Sequence, residues 1–439
     1  MFEFNIFCKQ AVTTGLLAFC CSTLVAEERS PLGLRDAVST TLKTNPLVLS
    51  ELREVDARDR EVRAALGSYY PSVDILAGYG FQERDPSALG RRNELDRSEV
   101  QLNARQLVFD GFRTNNEYKL QKSRLLSARH TANSVGEDVG LDVIRTFLSV
   151  MREESILSLA EETLATHQEI YEKMSKRHES GIGSRADFDQ ISGRLALAKT
   201  NVFNATANLI DAKTNFQRVV GHLPETGELG DPGSYRKYLP PSIEDAVYRA
   251  VQNHPLIKTA NEDVNAIGFQ YQQTKADFYP QFHVAVERDL NRNIDGLEGQ
   301  VDDLRVMLQM RYNLYRGRSD QAKRQQFAHL VQKAREIKRN THREVEQETR
   351  LAWTAYHTLS QQIPSLKSHY RDSKATRDAY IKQFDLGRRT LLALLNTENE
   401  MVDAQRALFN AQYDKLFNEY RIFHAMGDLL YMLDIEISE

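Results

Sequence analysis

Residues 69–77, Tyr69-Tyr70-Pro71-Ser72-Val73-Asp74-Ile75-Leu76-Ala77, have a counterpart at 278–286, Phe278-Tyr279-Pro280-Gln281-Phe282-His283-Val284-Ala285-Val286. In both, a Tyr-Pro pair closes what precedes it. A run then begins in which apolar residues return at every second place, the mark of a strand with one apolar and one polar face. The alternation continues through Tyr79 and Phe81, and it returns in Val100, Leu102, Ala104 and Val108 and in Leu304, Val306, Leu308, Met310, Tyr312 and Leu314. Two hairpins are expected, about 72–83 with 98–109 and about 281–288 with 304–315, with long charged connectors at 84–96 and 288–303.

Outward from this pair the whole chain repeats at a period near 206. Leu34-Arg35-Asp36-Ala37-Val38 returns as Ile243-Glu244-Asp245-Ala246-Val247, Asn45-Pro46 as His254-Pro255, and Leu107-Val108-Phe109-Asp110-Gly111 as Asn313-Leu314-Tyr315-Arg316-Gly317. Gly183 is answered by Gly387, and Gly221 by Gly427. A first unit is expected at 27–221, a second at 243–427 and a tail at 428–439. The linker between the units, 222–242, holds Pro224, Pro232, Pro240 and Pro241, the composition of a connector.

After each hairpin come two helical stretches, expected at about 114–179 and 185–220, then at about 320–384 and 389–426. Phe188, Ile191, Leu195, Ala198, Val202, Ala205, Leu209, Ala212, Phe216 and Val219 alternate by three and four, a coiled-coil seam. The same ladder is read at an offset of 204 from Leu392 through Leu395, Asn399, Val402 and Arg406 to Phe409, Tyr413, Leu416, Tyr420 and Phe423. Some 65 residues of continuous helix would reach about 100 Å. Pro364 is expected to kink or interrupt the second long stretch, and Gly136 and Gly140 to weaken the first.

The 439 residues carry 61 acidic and 57 basic side chains, so no basic footprint for nucleic acid is present. Residues 1–26 read as a secretory signal peptide, with Leu24 and Ala26 ahead of Glu27-Glu28. Cys8, Cys20 and Cys21 all lie within it, so a chain starting at Glu27 has no disulfide, thiolate nucleophile or cysteine metal site. Leu17-Ala18-Phe19-Cys20 resembles a lipoprotein processing site, but Phe19 is bulky where a small residue is needed. Beyond Ala26 no apolar run reaches about 18 residues, so a membrane role requires strands. Four strands cannot close a membrane barrel, which needs about eight, so several chains must contribute. A soluble coiled-coil scaffold would need only the ladders, and a diffusion porin would need many more strands. Gly181-Ile182-Gly183-Ser184-Arg185-Ala186 fits a loose dinucleotide pattern, but it follows a helix and not a strand. His342 and Glu346 lie one turn apart without a third metal ligand. No constellation for catalysis, cofactor or metal emerges.

The duplicated order resembles the TolC family of outer-membrane channel proteins over nearly the whole mature chain. The marks are Pro46 and Pro255, the two Tyr-Pro boundaries, Phe109-Asp110-Gly111 and the stretch Phe384-Asp385-Leu386-Gly387-Arg388-Arg389-Thr390. The resemblance implies a mainly α chain with a small membrane β part, assembled as a homotrimer. A 12-stranded transmembrane β-barrel, four strands per chain, would stand in outer-membrane lipid on an α-helical coiled-coil tunnel crossing the periplasm. It implies a tunnel gate at Asp189, Arg389 and Phe384, the last standing where relatives carry a Tyr. Ala393 and Asn396 stand where relatives carry two aspartates, so an acidic constriction is not expected. Gly181, Gly183, Gly387 and Arg388 would form the docking tip for a periplasmic adaptor, a membrane fusion protein. The implied function is a passive export duct opened by an inner-membrane ABC transporter and that adaptor, carrying an exported protein substrate by type I secretion. The outer-membrane factor of a multidrug efflux pump is the alternative.

Overall fold

The junction between the two short helices of each unit is set by a proline and the polar residue before it. The computed structural model describes residues 31–84 and 93–436, so the expected signal peptide at 1–26 lies outside the described residues. Helices α1 (Leu34–Thr44) and α2 (Pro46–Gly67) meet at Asn45, whose side chain accepts from Leu47 N at 2.9 Å, with Pro46 taking the first helical place. The second unit repeats the device: α5 (Ile243–Asn253) and α6 (Pro255–Gln273) meet at His254, whose Nδ1 faces Leu256 N at 3.2 Å. Burial holds the His254 pKa down to about 4, so the ring is neutral and can accept that hydrogen bond.

Strands β1 (Ser72–Arg84), β2 (Asn93–Phe109), β3 (Gln281–Arg292) and β4 (Gln300–Arg311) form one antiparallel sheet in that order. Two strand expectations need correction. Much of 288–303 is strand, leaving a turn of 293–299 only. At the other end β4 stops at Arg311 and not at 315, because Asn313 accepts from Tyr315 N at 3.1 Å and turns the backbone aside. The register puts Asp74, Asn103, Glu287 and Arg305 in one row across the sheet. The opposite face carries Val73, Ile75, Tyr79, Leu304, Val306 and Leu308, all largely exposed.

Helices α3 (Arg113–Glu179) and α7 (Ser319–Asp385) each run unbroken for 67 residues, about 100 Å. Pro364 lies inside α7 and does not interrupt it. Its neighbour Ile363 is buried with Leu408 and Ala411, and this packing carries the helix past the missing N–H. Each long helix turns back into a shorter one, α4 (Arg185–Val220) and α8 (Leu391–Met426), packed along the half of it nearest the turn. Bounds of both pairs differ by 206, and so do their cores: Leu195 matches Met401, Ala198 matches Ala404 and Phe216 matches Ile422. The buried seam of α8 therefore runs through Leu394, Thr397, Met401, Ala404, Leu408 and Ala411. The ladder expected at an offset of 204 is largely a second stripe, with Val402, Phe409, Tyr413 and Leu416 only half-buried.

The main core forms where the midpoints of α3 and α7 meet the short helices and the ends of α4 and α8, around Ile144, Phe147, Phe216, Tyr420 and Leu429. Within the region expected as a tail, the short helix α9 (Leu429–Met432) joins this waist. Gly427, at φ 71°, has Pro255 and His254 so close that a Cβ would stand 2.5 and 2.8 Å from them, whereas its counterpart Gly221 has open space. The linker is tied down as well. Buried Glu419 accepts from Tyr235 N at 2.5 Å and Ser234 Oγ at 2.9 Å, and the Tyr420 hydroxyl donates to Pro232 O at 2.6 Å.

Buried Glu137 of α3 accepts from the backbone N–H groups of Leu429 and Leu430 at 3.0 and 3.1 Å. Desolvation outweighs these bonds and raises its pKa from 4.5 to about 7. The folded carboxyl thus keeps its proton where an unfolded one has lost it, and this group's contribution to stability falls as pH rises from 4.5 to 7. His254 acts in the opposite sense, since its lowered pKa makes stability fall as pH drops through 6.5 toward 4. Glu137→Gln is expected to remove only the first leg, worth about 3 kcal/mol. Thermal melts of the detergent-solubilised variant should lack the decline that wild type shows between pH 5 and about 7; identical pH profiles would contradict the assignment.

Candidate functional site

Two regions place chemistry-bearing side chains together: the turns at the far ends of the long helices, and the junction where the sheet meets them. At the first, Gly181 and Gly387 both adopt φ 72° as the residue that ends a helix. Gly181, not Gly183, is therefore the structural counterpart of Gly387. Gly183 is needed for space, because a Cβ there would stand 3.1 Å from His178 N. Ser184 and Thr390 then cap α4 and α8, accepting from Ala186 N at 3.2 Å and Ala393 N at 3.3 Å.

The two turns are held together by a small core of Ile170, Met174, Ile191, Phe384, Leu391, Leu394 and Leu395. Phe384, expected in the gate, is buried in this core, with the Arg177 guanidinium 5.1 Å from its ring centroid. Lys173 Nζ, 3.2 Å from Asp385 Oδ1, ties α3 to α7 beside it. Asp189 and Arg389 are not brought together within one chain. Asp189 faces Arg185 at 3.7 Å, both exposed, and Arg389 donates to Gln383 at 2.8 Å and lies 4.2 Å from the Tyr380 ring centroid. Arg388 is exposed, and its N–H donates to Gln383 O at 2.8 Å.

A charged pair deeper in the coil escaped the sequence reading. Glu398 of α8, almost fully buried, lies 3.4 Å from Arg377 of α7, itself mostly buried. Burial raises the Glu398 pKa, and Arg377 works against that shift. The offset of 206 would have shown that Glu398 sits beside the seam; the offset of 204 hid it.

At the junction, buried Asp110 accepts from Thr114 N at 2.8 Å and Thr114 Oγ1 at 2.6 Å and so opens α3. Gly111 passes so close to the following unit that a Cβ would stand 2.9 Å from Tyr279 Cβ. The Phe-Asp-Gly mark is thus an architectural hinge point between strand and helix. Opposite it, Asp277 holds Arg113 at 2.5 Å and Arg316 at 3.5 Å. Among the described residues no helix is long and apolar enough to cross a membrane, and the continuous apolar surface lies on the sheet.

The family model described as outer membrane efflux protein matches residues 37–222 and 246–428, one span in each unit. Among curated relatives, the outer membrane efflux protein BepC of Brucella suis biovar 1 (strain 1330) is 23% identical, with 96% of this chain and 90% of that protein covered. The alkaline protease secretion protein AprF of Pseudomonas aeruginosa is 20% identical, with 90% and 84% covered. Among solved structures, the outer membrane protein VceC of Vibrio cholerae superposes with a TM-score of 0.79 at 15% identity, over 90% of this chain and 96% of that one.

Arg377→Met would leave Glu398 buried without its cation, at an expected cost of about 3 kcal/mol. The loss should be larger at pH 8 than at pH 5, since the stranded carboxylate must take up a proton to stay buried. Thermal melts at the two pH values check this, and adding Glu398→Met should restore most of the loss.

Proposed function

Since the chain belongs to the outer membrane efflux protein family, we propose that it is the outer-membrane duct of a type I protein-secretion system. The coarser part of that reading needs no proposal: this is an outer-membrane channel component of tripartite export systems, and its family is one of channels and not enzymes. The observation that carries the duct is the sheet. Four strands present a largely exposed apolar face, and among the described residues β1 and β4 are the outer strands of the sheet. Lipid tolerates no free edge, and three copies would supply about twelve strands, above the minimum of about eight.

Tyr413 and Leu416 pack against the chain's own main core, and half-buried Val402 and Phe409 beside them support the same assembly, as positions a neighbouring copy could cover. The long helices would then enclose a periplasmic tunnel. Docking of an adaptor and an inner-membrane transporter at the turns of Gly181, Gly183, Gly387 and Arg388 would open it. Similarity to a protein named for protease secretion supports the type I assignment. The efflux reading is favoured by the broad match to BepC.

Deleting the gene separates the two readings. Type I secretion predicts that a secreted protein vanishes from the culture supernatant while susceptibility to drugs and detergents is unchanged; the reverse result establishes efflux. For the gate, Asp189 and Arg389 are exposed at neighbouring turns, and the proposal is that each meets the corresponding turn of an adjacent copy. Asp189→Ala with Arg389→Ala should raise single-channel conductance in planar bilayers, and unchanged conductance removes the pair from the gate.

A further inference from the structure

The sheet register separates two environments. Odd-numbered residues of β2, β3 and β4 share one face with even-numbered residues of β1, since Arg105 pairs with Ser72, Glu287 with Arg305 and Gln281 with Arg311. The opposite face is the exposed apolar one, so in a barrel this polar face lines the lumen. Its carboxylates in mid-sheet are neutralised: Arg305 lies 2.5 Å from Asp289 and 3.3 Å from Glu287, and Arg97 pairs with Glu99. Asp74, one row outward from Ser72, adds a further acid on that face.

At the base of the sheet the balance reverses. Arg105 and Arg311 stand 206 residues apart, at the same place in the two units, both exposed and neither in an ion pair among the described residues. Each lines a cavity on the polar face, of about 490 Å³ for Arg105 and about 640 Å³ for Arg311. The cavities share Arg113 and Gln281, so they adjoin along the junction. The second unit has also exchanged acids for bases: Asp110 and Glu117 of the first correspond to Arg316 and Lys323. The larger cavity is thereby lined by Arg113, Arg311, Arg316 and Lys323 against only Asp277 and Asp320. Both carboxylates are already engaged by Arg316, at 3.5 Å each.

We infer that Arg105 and Arg311, backed by Arg113, Arg316 and Lys323, form a basic collar around the lumen that engages carboxylate-rich stretches of the polypeptide in transit. The inference rests on the reading of this chain as a protein-export duct. Guanidinium forks match carboxylates in pairs of hydrogen bonds. Contacts of this kind at exposed positions are individually weak, so a collar of them can guide an acidic chain without trapping it. In a three-chain assembly Arg105 and Arg311 alternate around the ring, and the second unit contributes the stronger positive field.

The test is electrical, on the purified full-length protein in planar bilayers, with poly-aspartate and poly-lysine of equal length added as probes. Wild type should be blocked by poly-aspartate at a concentration about tenfold or more below that needed for poly-lysine. With Arg105→Gln and Arg311→Gln together, that block should weaken by about tenfold and the reversal potential under a KCl gradient should move toward cation preference. The wild-type comparison of the two polymers decides the matter even if the variant fails to assemble. Channels that open normally yet are blocked equally by both polymers, or by poly-aspartate equally in wild type and variant, overturn the collar and leave the duct standing. A wild-type protein that forms no channel at all overturns the duct, and the collar with it.

Discussion

An unpaired backbone amide in hydrocarbon costs several kcal/mol, and among the described residues the sheet ends on β1 at one side and β4 at the other. Most of the architecture answers to that constraint. The apolar face can be wetted by lipid only if those edges are paired, which a single chain cannot do for itself. Duplication within the chain supplies two β-hairpins, and two helical hairpins of equal length, so that in the proposed assembly neighbouring copies can continue the same pattern around a ring. The unbroken lengths of α3 and α7 follow, since each must carry the sheet at one end and a turn at the other.

The waist holds the two units in one register. Buried acids do this work by accepting from backbone: Glu137 anchors the start of α9 to α3, and Glu419 anchors the linker to α8. Each would be a liability if left unmatched, because a buried carboxylate without partners is strongly disfavoured. Gly427 reinforces the joint by letting the end of α8 pass against His254 and Pro255. Far from the waist, the helix turns have only a small core, with charges exposed around it.

Much of this was legible in the sequence, because alternation by two and by three and four follows directly from which face is buried. The hairpins, the long helices and the duplicated Pro positions all follow from such local rules. The offset of 204, which runs through Asn399 and Arg406, follows a stripe of α8 that is buried at Leu395, Tyr420 and Phe423 but only half-buried or exposed between them. Its true intra-chain seam includes Thr397 and Asn418, and buried Glu398 and Glu419 beside it find partners from α7 and the linker, which no local pattern announces. Pro364 breaks a local rule and is tolerated because packing around Ile363 holds the helix. The separation of Asp189 from Arg389 within one chain depends on how two turns pack, and spacing does not encode that.

The proposed duct requires β1 of one copy to complete the sheet against β4 of the next. Cryo-electron microscopy of the detergent-extracted protein tests it most directly. The expected particle is threefold and well over about 100 Å long, with a closed barrel at one end in which each β1 lies hydrogen-bonded to a neighbouring β4. A water-soluble monomer with both edge strands facing solvent would contradict it.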